Sequence, residues 1–94
     1  MSTRMPNYPP PALHPGEALR EDFLAELGIS PTKLAKITNI PLDHIEALLA
    51  EEEDFSVNDA LRISDALNTQ PEFWLDLQTS YTRSTLEHGD AVAN

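Results

Sequence analysis

The chain of 94 residues holds few groups arranged to make or break bonds. It has no cysteine, which excludes a disulfide staple, a thiolate nucleophile and a thiolate metal site. His14, His44 and His88 have no histidine three or four positions away, so none belongs to a helical metal pair. Glu17, Glu21 and Asp22 follow His14, but the acid-rich first turn of a helix accounts for them better than a surface metal site does. There is no glycine-rich phosphate loop and no nucleophilic arrangement of Ser, Thr and His. The expectation is a protein that is not an enzyme, with no catalytic residue, metal or cofactor.

The residues that do form a pattern suit contact with a polyanion. Ser30, Thr32, Lys33 and Lys36 put two hydroxyls and two ammonium groups within seven positions, the types that fix a protein on a phosphate backbone. Asp43, His44 and Ala47 lie a short turn further on. There a carboxylate accepts from cytosine N4 and an imidazole donates to a base acceptor or a phosphate. Both sets must be presented by helices, and the apolar spacing supplies them. Ala18, Leu19, Phe23, Leu24 and Leu27 recur at helical spacing over residues 16–27, and Gly28 is a natural stop. Ser30-Pro31 is an N-cap and first-turn proline, and Leu34, Ala35 and Ile37 give the second helix an apolar face to about Thr38. Asn39 tolerates the positive φ of a tight turn. Pro41 opens a third helix with Leu42, Ile45, Leu48 and Leu49 on one side, ending near Ala50.

Ser56, with Asp59 three positions on, starts a fourth helix whose inner side is expected to carry Val57, Ala60, Leu61, Ile63, Ala66 and Leu67. Thr69-Gln70-Pro71 starts a fifth, running to about Glu87. Phe73, Trp74, Leu77 and Tyr81 occupy more than one side of it, which suits a core that continues into a dimer contact. Nothing reads as a strand. The prediction is an all-α, five-helix, helix-turn-helix domain of the lambda-repressor-like type over residues 14–87, with the helix-turn-helix at about 30–50. Before it, residues 1–13 contain Pro6, Pro9, Pro10 and Pro11 and read as a flexible, extended arm. After it, residues 88–94 read as a frayed tail.

Charge argues against the polyanion. Six Lys and Arg against sixteen Asp and Glu leave a net charge of -10, whereas nucleic-acid binders usually carry a basic patch. The third helix, expected to enter the groove, carries Asp43 and Glu46, and Glu51, Glu52, Glu53 and Asp54 follow it without one Lys or Arg. Two readings stand: a weak, selective reader of double-stranded operator DNA, or a helix-turn-helix scaffold that has lost DNA binding and turns an acidic face to a basic protein.

Four stretches carry a resemblance: HPGEALREDFLAELGIS, LAKITNIP, SVNDALRISDALNT and QPEFWLDLQTSY. They resemble the HigA-like antitoxins (the VapI-type plasmid-maintenance antidote proteins), within the Xre-type helix-turn-helix group, over roughly residues 14–86. The resemblance implies a five-helix homodimer that represses its own operon and neutralises a small RNA-cleaving toxin of RelE-like fold, a basic partner. Members of that family usually carry Arg, Lys, Thr, Ser or Asn on the outer face of the third helix, then a basic or glycine-containing turn. Here those places hold acids. No apolar run approaches the roughly 20 residues needed to span a membrane, and the N-terminal stretch has no apolar signal region, so a cytoplasmic protein is expected.

Overall fold

The computed structural model describes residues 12–93, with side chains through residue 86. Most of the expected proline-rich arm (residues 1–11) lies outside the described residues. The described part is helical throughout, without a strand. Helix α1 covers residues 15–27 in three joined pieces: an α turn Pro15–Ala18, a π-helical stretch Leu19–Leu24 and a closing α turn Ala25–Leu27. The others are α2 (Pro31–Thr38), α3 (Leu42–Leu49), α4 (Val57–Leu67) and α5 (Pro71–Ala93). Helix α1 touches α3 and α5, α2 touches α3 and α4, and α4 lies along α5.

The helix ends follow the local chemistry of the sequence. Ser30 Oγ accepts from the Lys33 amide at 3.1 Å and caps α2. Ser56 and Asp59 form a reciprocal capping box on α4, at 3.0 Å in each direction. Gly28, Asn39 and Asn68 close α1, α2 and α4 in the left-handed region, with φ of 67, 60 and 60°. Asn39 therefore has the turn conformation its type predicts.

The π stretch was not visible in the periodicity. In an α-helix residues five apart are turned about 140° from one another. The wider π turns bring both Leu19 and Leu24 into the core and shift the phase behind them. Leu27, expected on the apolar face, is instead 58% exposed in the last turn before Gly28.

The core joins Leu19, Leu34, Ile45, Leu48, Ile63 and Trp74, all without solvent contact. Three assignments of inner faces need correction, the first being Leu42 at the start of α3, which is exposed. On α2 the fourth-neighbour of Leu34 is Thr38, which is buried and returns its hydroxyl to the Leu34 carbonyl at 2.7 Å, so Ile37 turns outward. On α4 the inward residues are Asp59, Ala60, Ile63 and Ser64, and Val57 and Leu61 are more than half exposed. The capping box dictates this: it turns Asp59 inward and carries Val57 and Leu61 to the other side.

Helix α5 continues through Ala93, beyond the end expected near Glu87 and through most of the tail expected to fray. No proline interrupts it there, and each added residue contributes one more helical hydrogen bond.

Trp74 is buried completely. Its indole N–H donates to Thr69 Oγ1 at 2.8 Å, and its ring stacks on Phe55 with centroids 5.7 Å apart. Its assignment to a dimer contact is thereby corrected, since a residue sealed inside its own protomer has no surface to offer. Phe73 is exposed, and Leu77 and Tyr81 are half-buried.

Candidate nucleic-acid interface

Helix α2, the Asn39 turn and α3 make the helix-turn-helix. The turn is held from inside: Thr38 Oγ1 accepts from the Ile40 amide at 3.3 Å, and Ile40, Ile45 and Leu48 are buried beneath it. Arg62 of α4 reaches across to donate to the Thr38 carbonyl at 3.3 Å, adding positive charge at the C-terminal end of α2.

Ser30 at the cap of α2, and Thr32, Lys33 and Lys36 on the helix, are all exposed. Neither lysine has an ion pair among the described residues, so both charges remain available. On α3, Asp43 and Glu46 are exposed and Ala47 is half-buried. The Asp43 carboxylate accepts from the amide of His44 at 2.9 Å, as an acid in a helical first turn does. His44 needs correction: its Nε2 lies 3.0 Å from both oxygens of the buried Asp59 carboxylate, so it points that nitrogen at α4 rather than at a base edge.

The acidic run divides. After α3 the chain makes a Schellman turn, with the Glu51 amide on the Leu48 carbonyl at 3.1 Å and the Glu52 amide on the Ala47 carbonyl at 2.9 Å. This puts Glu51 at φ 65°, a place usually given to glycine. Its carboxylate meets Arg20 Nη2 at 3.3 Å, while Arg20 Nη1 donates to the carbonyl of Leu49 and Nε binds Glu21. Asp54 accepts from Gln78 Nε2 at 3.2 Å, and the same amide's oxygen takes the Phe55 N–H at 2.8 Å. Glu51 and Asp54 are thus tied back to the body. Glu52 and Glu53 are exposed, with no side-chain partner among the described residues.

Sequence reasoning missed Arg20 as the clamp on the end of α3, and Asp59 as the brace of His44. The first had no local signal, since Arg20 and Leu49 meet only through the fold. The second had half of one, because Asp59 was legible as a capping residue. Among the described residues no group of His, Asp and Glu is disposed to hold a metal ion, and no helix is long and apolar enough to cross a membrane.

An exposed cationic edge on α2 beside a solvent-facing α3, joined by a left-handed turn, defines a helix-turn-helix protein of the nucleic-acid-binding class. Residues 21–77 match the Cro/C1-type HTH DNA-binding domain family. The chain is 35% identical over 84 residues to virulence-associated protein I of Dichelobacter nodosus, covering 89% of this chain and 78% of that protein. It superposes on the Pseudomonas aeruginosa antitoxin HigA, solved with the higBA promoter, with a TM-score of 0.82 at 30% identity, over 87% of this chain and 89% of that one. It superposes on antitoxin GraA in complex with its operator with a TM-score of 0.79 at 39% identity, over 96% and 92% of the two chains. The chain belongs to the Cro/C1-type helix-turn-helix family and, within it, to the HigA-like, VapI-type antitoxins.

Proposed function

We propose that the protein is an antitoxin that represses its own operon. As a homodimer it would place α3 of each protomer in successive turns of a major groove. Ser30, Thr32, Lys33 and Lys36 hold flanking phosphates, and Asp43 and Ala47 face the bases. The observation that carries this reading is the pair of lysines without ion partners among the described residues, beside a solvent-facing α3, in a chain similar over most of its length to antitoxins solved on promoter or operator DNA. Exposed Phe73, with half-buried Leu77 and Tyr81, is the apolar contribution of α5 to the dimer. The reading includes neutralisation of a small, basic RNA-cleaving toxin of RelE-like fold in the cytoplasm, with Glu52 and Glu53 as the acids free to meet it.

A second reading keeps the scaffold and removes the DNA. Asp43 and Glu46 stand exposed on an α3 without any Lys or Arg, and this face suits a basic protein. One titration separates the two. A labelled duplex from just upstream of the gene is followed by fluorescence anisotropy at about 50 and about 200 mM salt, a range over which phosphate-dependent affinity falls steeply. Saturable binding that exceeds a scrambled duplex, and that Lys33→Glu with Lys36→Glu abolishes, supports the repressor. Absence of binding by a folded dimer at the lower salt sinks it in favour of the acidic protein-binding face.

A further inference from the structure

We infer that Arg20 is a positioning residue for DNA binding: it holds the C-terminal end of α3 and keeps the Glu51 carboxylate from confronting the phosphate backbone. The inference rests on the operator-binding reading above and deepens it.

Three observations converge on this side chain. Arg20 Nη1 donates to the Leu49 carbonyl, one of those left without a partner at the end of α3. Its Nη2 meets Glu51 at 3.3 Å, and the Schellman turn sets the backbone of Glu51 for that contact. Arg20 itself lies in the π-helical stretch of α1, so its reach to α3 belongs to that local winding. Donating hydrogen bonds to the carboxylates of Glu21 and then Glu51 raises its pKa further above the ordinary arginine value, so the clamp stays charged.

Geometry makes Glu51 matter. The eight residues of α3 span about 12 Å, close to the width of a major groove. A helix of that length seated in the groove brings its far end within about a Debye length, roughly 8–10 Å, of a phosphate strand. A carboxylate just beyond that end repels the strand unless a cation answers it. Arg20 answers it from within the protein, and it also fixes the direction in which the acidic loop leaves α3.

The test uses the full chain and the variants Arg20→Gln, Glu51→Gln and the double variant. Arg83→Gln serves as control; it removes the same charge from an exposed site on α5. Two readouts are taken: anisotropy with the upstream duplex, and hydrogen exchange of the Glu51 and Glu52 amides that close the turn. The expected result is that Arg20→Gln binds DNA about two- to fivefold more weakly than the control at low salt, the size of one uncompensated charge near a phosphate. Adding Glu51→Gln recovers most of that loss, while the two amides exchange faster in both Arg20 variants. Rescue of affinity without rescue of protection separates electrostatic positioning from a merely structural role. An Arg20 variant that binds like the control, or a double variant that fails to recover, overturns the inference. Unchanged exchange overturns the clamp without reference to DNA. No duplex binding by the folded wild type overturns the operator reading and the DNA half of this one together, and the exchange data still judge the clamp.

Discussion

His44 Nε2 stands 3.0 Å from each carboxylate oxygen of Asp59, so a single carboxylate both completes the cap of α4 and braces α3. Losing it removes two supports at once. Asp59→Ala is expected to cost about 2–3 kcal/mol, of which the cap accounts for about 1 kcal/mol. His44→Ala should cost less, because Ser56 and Asp59 still cap each other. Urea denaturation of both single variants and the double variant measures the coupling, expected at about 0.5–1 kcal/mol. Strict additivity would show that the brace carries no energy.

At Gly16 the backbone of α1 approaches α3 too closely to admit a side chain. A Cβ at this position would lie 1.9 Å from the Leu48 carbonyl oxygen, a backbone atom that cannot swing aside. Gly16→Ala must push the two helices apart at the end of α3. The cost is expected at about 1–3 kcal/mol or more, and each kcal/mol lowers the melting temperature of a domain this size by about 4–8 °C. A thermal melt decides it, and an unchanged midpoint would refute the packing described here.

His14 makes the protein's stability depend on pH. It is buried, and its Nδ1 accepts the Gly16 amide at 2.8 Å, which requires an unprotonated nitrogen. Burial pushes its pKa below the ordinary value of 6.5, against the raising influence of Glu51 and Asp54. As pH falls, the unfolded chain takes up this proton first. The contribution is therefore present in full above 6.5 and is lost as pH falls from there through the folded-state pKa. His14→Asn keeps a capping acceptor that does not titrate. Between about pH 7.5 and about pH 5.5 the wild type should lose more stability than this variant. Equal losses would remove His14 as the cause.

Asn39 occupies φ 60° between α2 and α3. Asn39→Gly should be neutral within a few tenths of a kcal/mol, and Asn39→Val should cost about 1–2 kcal/mol, since the left-handed region crowds a branched Cβ. Denaturant midpoints for the pair test whether the turn is as tight as described.

Glu46 is the exposed acid in the middle of α3. If α3 enters the groove, Glu46→Gln should tighten duplex binding about two- to fivefold at low salt, with the gain fading as salt rises. An affinity that does not change with this substitution would place α3 away from the DNA.

Much of this molecule is decided within a few residues along the chain, and those parts were readable. Ser30-Pro31, Gly28, Asn39 and the Ser56–Asp59 pair are local devices; each satisfies or terminates backbone hydrogen bonds of its own segment. Together with the apolar repeats they determine five helices in order and a helix-turn-helix between Ser30 and Ala50, and the stretches from HPGE to PEFWLDLQ mark the family. The tertiary structure decided what local spacing leaves open, which is where each side chain points and what it meets. A six-residue π stretch brought Leu24 into the core beside Leu19 while Leu27 stayed outside it, and sealing Trp74 against Phe55 withdrew it from any interface. Which charges stay uncompensated around α2 and α3 was likewise a long-range matter. Glu51 is answered by Arg20 and Asp54 is held by the neutral amide of Gln78, while neither Lys33 nor Lys36 has an ion pair among the described residues, and a count of acids and bases along the chain contains none of those distances. Electrostatic energy depends on separation in space, and only the packing of α1 and α5 against α3 and its following loop sets that separation.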